Sequence, residues 1–570
     1  MSEAVWLQSY PQGVPSDLPP LPYASLVGLL EEAFSTHADK TAFSFLGQDF
    51  SFADTERLSR ALGAYLQSLG LNSGDRVAIM MPNVPQYPVA VAAILRAGLV
   101  VVNVNPLYTT SELEHQLKDC GAKAIVILEN FAATLQTCLA NTSVQHVVLC
   151  AMGDCLGLKG LLVNFVVRHV KKLVPAFSLL PGANLATRFT VRFNQAIKLG
   201  AQAELRRAPV QPDDLAVLQY TGGTTGVSKG AVLLHRQLLA NVVQTQLWNQ
   251  PALATLPSNQ PMTMVCALPL YHIYAFTVGM MYTLSLGGKL ILIPNPRDIP
   301  AVIQTLKKQV FHVFPAVNTL FGAIARHSDA AQVDWRHLRV SVGGGMAVTS
   351  AVAEPWRALT GSPICEGYGL TEASPSVSCN PVTTSDFNGS IGLPLPGTCM
   401  RVVDDDGHEV PVGQAGELEV MGPQVMAGYW QRPDETAKVM TPDGWLKTGD
   451  IGLMDERGFF KIVDRKKDMI LVSGFNVYPN EVEAVVAQLP GVLECACVGC
   501  PDDTTGEAVQ LVVVCDDTLN ETQMEARIRA WCREQLTGYK QPKRIEFRNT
   551  LPKTAVGKVL RRALRDDVVA

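Results

Sequence analysis

The sequence predicts an α/β protein built from more than one unit, and three observations carry that expectation. Short, unbroken apolar runs at 77–80, 124–128, 147–149 and 290–293 alternate with longer amphipathic segments such as 112–120 and 299–310. Buried strands separated by helices are the pattern of largely parallel sheets. The chain has 570 residues, too many for one hydrophobic core. From about Ile391 the texture changes: Gly, Pro and Asp become frequent and strand patterns dominate, at 416–420 and 458–463. A smaller β-rich unit is expected there. The tail from 470 returns to mixed β and α patterns and ends in the basic run Lys558-Val-Leu-Arg-Arg-Ala-Leu-Arg565. Between them, every residue from Asp464 to Asp468 is charged, which reads as a solvated turn and a unit boundary.

Composition narrows the function. Hydrophobic residues are 47% and charged residues 17%, as in a folded globular protein. The net charge of −5 argues against nucleic acid as a partner, so a polyanionic substrate must be held by local lysines and arginines. The N-terminal Met-Ser-Glu-Ala-Val-Trp has neither the basic nor the apolar region of a secretory signal. The longest apolar stretch, 89–104, is broken by Arg96 and Asn103 and falls short of the roughly 20 apolar residues of a membrane span. A soluble or peripheral protein is expected. Of the 13 cysteines, Cys495, Cys497 and Cys500 cluster. They lie in a strand-like run without a second ligand pair at zinc spacing, so they read as small buried residues.

The chemistry concentrates in a few motifs. Residues 220–230 read Tyr-Thr-Gly-Gly-Thr-Thr-Gly-Val-Ser-Lys-Gly, between the apolar run 215–218 and a helix-like segment after Ala231. Such a loop turns tightly, exposes backbone N–H groups and keeps a cation beside them, as polyphosphate binding requires. It is not a P-loop: counted from Gly222 or Gly223, the required second glycine is Val227 or Ser228, and Lys229 is followed by Gly230. Gly343-Gly-Gly345 follows the strand-like run 338–342, where glycines let a flat ring approach the backbone. Glu366-Gly-Tyr-Gly-Leu-Thr-Glu372 offers an aromatic face, a hydroxyl and a carboxylate suited to Mg²⁺. Asp443-Gly-Trp-Leu-Lys-Thr-Gly-Asp450 ends in a carboxylate suited to ribose hydroxyls, and Pro552-Lys-Thr-Ala-Val-Gly-Lys558 places a lysine near the C-terminus.

Together, in this order, the motifs resemble the adenylate-forming superfamily of acyl-CoA synthetases, luciferases and nonribosomal adenylation domains. The run from Asp443 to Lys467, with Asn103-Val-Asn-Pro-Leu-Tyr108, Leu268-Pro-Leu-Tyr-His-Ile273 and Val472-Ser-Gly-Phe-Asn-Val-Tyr-Pro479, is similar to the bacterial long-chain-fatty-acid–CoA ligases, and the likeness extends from Trp6 to Arg565. One departure is Lys447, where that signature more often has His. The resemblance implies a large N-terminal domain (1–463) of two α/β subdomains plus a β-rich subdomain, a hinge at 464–469, and a small mobile α+β domain at 470–570. It implies ATP-dependent ligation of a fatty acid to CoA through an acyl-adenylate, with Mg²⁺ as cofactor, feeding beta-oxidation or lipid synthesis.

The implied roles follow residue by residue. Tyr220, Thr221, Gly222, Gly223, Thr224, Thr225, Gly226 and Lys229 would hold the ATP phosphates. Gly343, Gly344, Gly345, Gly367, Tyr368, Gly369 and Thr371 would frame the nucleotide. Glu372 and Thr224 would hold Mg²⁺ and, with Lys558, serve catalysis. Asp450 and Arg465 would bind ribose, Lys467 would be the hinge, His272 and Phe276 would line the acyl channel and its gate, and Gly474 would border the CoA path. A medium-chain, aromatic or terpenoid acid is the alternative substrate. A non-catalytic binding protein is disfavoured because Glu372, Asp450, Arg465 and Lys558 are all present.

Residues 156–175 combine Asn164, Arg168, Lys171 and Lys172 on one helical face with Leu158, Leu161, Leu162, Phe165, Val166 and Val170 around the rest. Amphipathicity by itself favours an apolar face turned to the core. A fatty-acid substrate favours the other reading, peripheral attachment to the cytoplasmic face of the inner membrane. A homodimer is compatible with either.

Overall fold

In the computed structural model, which describes residues 4–179, 189–221, 228–257, 260–473, 475–502, 504–516, 520–554 and 557–569, the apolar runs pair into two large sheets. One has seven strands in the order Phe189–Arg192, His146–Cys150, Ala124–Leu128, Arg76–Met80, Val100–Asn103, Leu215–Thr221, Lys229–Leu234. The first six are parallel and the last returns antiparallel. Ala124–Leu128 is buried at every position, as a strand covered on both faces must be. The return strand Lys229–Leu234 corrects the expectation of a helix directly after Ala231: the apolar run first pairs with the sheet, and the helix His235–Leu253 starts afterwards.

The second sheet has nine strands, with a parallel centre that includes Val340–Gly343 and Ile364–Gly369 and antiparallel strands at both edges. Local signals fix the connecting helices. Thr110–Cys120 begins at a capping box, in which Thr109 and Glu112 satisfy each other's backbone N–H groups, and ends at Gly121 with φ +59°.

The β-rich unit is a four-stranded antiparallel sheet of Cys399–Val403, Gly416–Met421, Leu446–Met454 and Phe460–Arg465. Residues 466–469 separate its last strand from Ile470–Val472, which belongs to a five-stranded sheet packed with the helices Pro479–Val486, Glu521–Gln535 and Arg561–Val569. The cysteine cluster lies in the strand Val492–Asp502, where burial pushes the Cys495 and Cys497 thiols well up. All 13 cysteines are unpaired.

The 156–175 segment forms an α-helix, Gly157–Phe165, and a π-helical turn, Val166–Val170. Leu158, Leu161 and Leu162 of the helix face solvent, which overturns the expectation of an apolar face on the core.

Candidate active site

A continuous cleft of about 2460 Å³ gathers most of the motif residues. Tyr220, Thr221, Lys229, Gly344, Gly345, Gly367, Tyr368, Gly369, Thr371, Glu372, Asp450, Arg465, Lys467, Lys558 and His272 all line it. Residues more than 300 positions apart thus share one surface.

Residues 222–227 are flanked by two paired strands, Leu215–Thr221 and Lys229–Leu234. Thr221 stands opposite Lys229 and Tyr220 opposite Gly230, and the Ser228 hydroxyl donates to the Thr221 carbonyl at 2.6 Å. Gly222, Gly223, Thr224, Thr225 and Gly226 lie outside the described residues. The Tyr220 hydroxyl donates to Asp119 at 2.6 Å, and Asp119 also accepts from Arg432 at 2.6 Å, so Tyr220 is held as part of the frame. Lys229 pairs with Glu435 and sits 5.2 Å from the centre of the Tyr429 ring. The Tyr429 hydroxyl donates to Glu372 at 2.7 Å. Sequence reasoning missed Tyr429, Glu435 and Asp119; the only local signal was the aromatic pair Tyr429-Trp430 ahead of Pro433-Asp-Glu435.

Opposite stands a polar group built around the buried Asp450. Asp450 and Arg465 are register partners on adjacent antiparallel strands, which brings the guanidinium to the carboxylate at 2.8 Å. Tyr368 donates its hydroxyl to the other Asp450 oxygen at 2.6 Å. Burial and the Asp450 charge push the Tyr368 phenol well above its ordinary range, so it remains a donor. Glycine is required at 344, where a Cβ would stand 2.9 Å from the Tyr274 ring, and at 369, where it would stand 2.2 Å from the Pro375 carbonyl. Gly343 does not line the cleft; it packs between Val348 and Ile364.

Lys558 reaches this group from the C-terminal unit, on a turn closed by Thr554 N–H donating to the Lys558 carbonyl at 2.7 Å. Desolvation in the cleft and the Arg465 charge push its ammonium down to about 8. Lys467 comes down to about 8 for the same two reasons. His272 is held down to about 4 by burial and then by Lys558, so it is neutral at physiological pH. Its Nδ1 accepts from the Tyr274 N–H at 3.3 Å, which leaves Nε2 as the protonated nitrogen.

Phe276 is not at the cleft. It is fully buried in the core, on the π-helical segment Ala275–Met281. Gly474 lies outside the described residues. A cluster beside the charged run 464–468 was not anticipated either. Arg561, on the last helix, pairs with Asp464 at 3.3 Å and Glu483 at 2.8 Å, and Arg565 pairs with Asp468 at 2.7 Å.

A lysine, Lys558, beside the Tyr368–Asp450–Arg465 group and in one cleft with Lys229 is an arrangement suited to a nucleotide. Residues 30–430 match the AMP-binding enzyme family and residues 481–558 match the AMP-binding enzyme C-terminal domain. The chain belongs to this family of adenylate-forming enzymes. It is 53% identical to a long-chain-fatty-acid–CoA ligase of Escherichia coli O6:H1 over 565 residues, covering 99% of this chain and 98% of the relative. It is 36% identical to the Bacillus subtilis (strain 168) protein of the same description over 568 residues, covering 99% and 98%. Among solved structures, the anthranilate CoA ligase AuaEII in complex with anthranoyl-AMP superposes with a TM-score of 0.83 at 25% identity, covering 97% of this chain and 98% of that one.

Proposed function

We propose that the protein joins a long-chain fatty acid to CoA, with ATP cleaved to AMP and diphosphate through an acyl-adenylate. The supporting observation is that one cleft holds Lys558, the Tyr368–Asp450–Arg465 group and Lys229, in a chain 53% identical over nearly its full length to a curated long-chain-fatty-acid–CoA ligase. A carboxylate is a poor electrophile because its leaving group would be oxide. In the first step its oxygen attacks the α-phosphorus, and the bond from that phosphorus to the diphosphate oxygen breaks. Negative charge builds on the α-phosphoryl oxygens and on the departing diphosphate, and positioned cations stabilise it. Lys558 takes the α-phosphoryl and carboxylate side, and Lys229 takes the diphosphate side. Asp450 takes the ribose hydroxyls, and Arg465 and Tyr368 hold Asp450 in place. In the second step the CoA thiol releases its proton to solvent, its sulfur bonds to the acyl carbon, and the bond from that carbon to the phosphate oxygen breaks, so AMP leaves.

Glu372 and the loop residue Thr224 are the positions that would hold Mg²⁺. Glu372 fits: its carboxylate is fixed by Tyr429 at one oxygen, at 2.7 Å, and retains acceptor sites for a hard cation. When bound, the ion neutralises phosphate charge.

The two steps need different groups at one centre. In this structure Lys558 occupies the cleft, the arrangement the first step requires. Rotation of the C-terminal unit about Lys467 would withdraw it, and would break the Arg561–Asp464 pair that spans the turn. The acyl-CoA formed would feed beta-oxidation or lipid synthesis.

The substrate class is tested by acyl-CoA formation across a series of fatty acids with benzoate alongside. Palmitate should exceed octanoate and benzoate in kcat/KM. A preference for medium-chain or aromatic acids would remove the long-chain assignment and leave the adenylate-forming reading intact.

A further inference from the structure

The helix Gly157–Phe165 is built the wrong way round for a core helix. Its inner side carries Gly160, Asn164 and, one turn on, Val167. Gly160 and Gly153 touch so closely that a Cβ on Gly160 would stand 1.9 Å from the Gly153 carbonyl oxygen, and one on Gly153 would stand 2.2 Å from that of Gly160. The Asn164 side chain accepts from the Gly153 N–H at 2.7 Å. The apolar side faces out: Leu158 is 87% exposed, Leu161 69%, Leu162 65% and Phe165 57%. These four positions, i, i+3, i+4 and i+7, are one stripe of an α-helix. Single exposed leucines are ordinary, but a continuous stripe marks a contact surface.

The surrounding charge indicates what covers it. The chain as a whole is net negative, at −5, yet residues 155–203 contain no Asp or Glu and seven Lys or Arg. Lys159, Lys171 and Lys172 are exposed on and just beyond the helix. Arg168 is not part of this free charge: it makes two hydrogen bonds to Glu129, at 2.7 and 2.9 Å, and Glu129 also accepts from Arg192 at 2.7 Å. Lys159 donates to the Leu46 carbonyl, so it and the arginine hold the helix to the protein, while Lys171 and Lys172 remain for an external partner.

We propose that this stripe and the lysines beyond it dock the protein onto an anionic phospholipid bilayer, with the leucines and Phe165 entering the interface and Lys171 and Lys172 meeting lipid phosphates. An apolar face at the headgroup boundary, flanked by lysines free to reach it, is the arrangement of an interfacial helix. The inference deepens the fatty-acid reading by naming where a membrane-dissolved acid is met, but its geometry and its test need no catalysis, so the two stand or fall separately.

The test is co-sedimentation of the full chain with vesicles of phosphatidylethanolamine and phosphatidylglycerol, and with phosphatidylcholine alone. The triple variant Leu158→Ser, Leu161→Ser, Phe165→Ser should partition at least about tenfold more weakly to both. Lys171→Glu with Lys172→Glu should weaken binding to the anionic vesicles and spare phosphatidylcholine. Octanoate activity in vesicle-free buffer should be unchanged in both variants, which reports their folding. Hydrogen exchange on the wild-type protein provides a readout without mutation: amides of 157–170 should gain protection when anionic vesicles are added. Unchanged partition of the triple variant, or no gain in protection, overturns the proposal. If the triple variant turns a dimer into a monomer while vesicle partition is unchanged, the face is an interface between copies and the membrane proposal is wrong.

Discussion

Lys558→Ala should separate the two half-reactions. Lys558 enters the cleft from the C-terminal unit, beside Arg465 and close enough to His272 to depress its protonation. In the proposed mechanism its role is confined to charge that develops in the first step. Removing one preorganised donor from such a site costs about 10²–10³ in rate, or about 2.7–4 kcal/mol. Adenylate formation from ATP and fatty acid, read as fatty-acid-dependent ATP–diphosphate exchange, should therefore fall by at least about two orders of magnitude. Thioester formation from supplied acyl-AMP and CoA should remain within about threefold of wild type. The pH dependence gives an independent check. With the ammonium brought down to about 8, the protonated form outweighs the neutral amine by about ten to one at pH 7, and the ratio reverses by pH 9. The charged form is the active one, so kcat/KM for adenylation should be level below pH 8 and fall about tenfold per unit above it. Arg465→Gln removes the nearest like charge and should shift that alkaline limb upward. Equal loss of both half-reactions in Lys558→Ala, or a profile flat from pH 7 to pH 9.5, would refute this account.

Two further predictions concern the groups that hold the site in shape. Tyr429→Phe removes the hydroxyl that aligns Glu372, a charge-assisted bond worth about 1.5–3 kcal/mol, so the Mg²⁺ concentration giving half-maximal adenylation should rise about tenfold or more. Binding of Mn²⁺ read by electron paramagnetic resonance, with ATP present, should weaken in parallel; an unchanged Mn²⁺ affinity would show that Tyr429 does not position this carboxylate. Asp450→Asn keeps the side-chain volume and removes the charge facing Arg465. Arg465 is 36% exposed, so the stability cost should stay near that of one screened, charge-assisted pair, about 1–2 kcal/mol. KM for ATP should rise at least about tenfold, and a fall in thermal midpoint with unchanged KM would make Asp450 a scaffold residue only.

The sequence made the parallel sheets legible because a strand buried on both faces, such as Ala124–Leu128, must be apolar throughout, and few other structures demand that. The candidate site was legible because its residue types are chemically constrained: close backbone approach needs glycine at 344 and 369, and the Asp450–Arg465 pair falls on adjacent strands of a β-rich unit that the composition already marked. What stayed hidden depends on distance through space. Nothing near Tyr429 or Glu435 in the chain indicates that they meet Glu372 and Lys229, 57 and 206 positions away. The same limit separates Arg561 from Asp464. Phe276 was placed at the channel by resemblance, whereas the packing around Ala275–Met281 keeps its ring inside the core. The helix at 157–165 shows the limit most sharply. Its periodicity gives two faces, and periodicity is symmetric with respect to which face turns inward. The decision rests on Gly160, since only a glycine lets the helix approach Gly153 backbone to backbone. That contact places the glycine and Asn164 inside and commits all four large apolar residues to the outside. A single small residue on the otherwise polar side of an amphipathic pattern therefore carries information that the hydrophobic stripe does not. It indicates that the stripe is available to a partner rather than used by the fold.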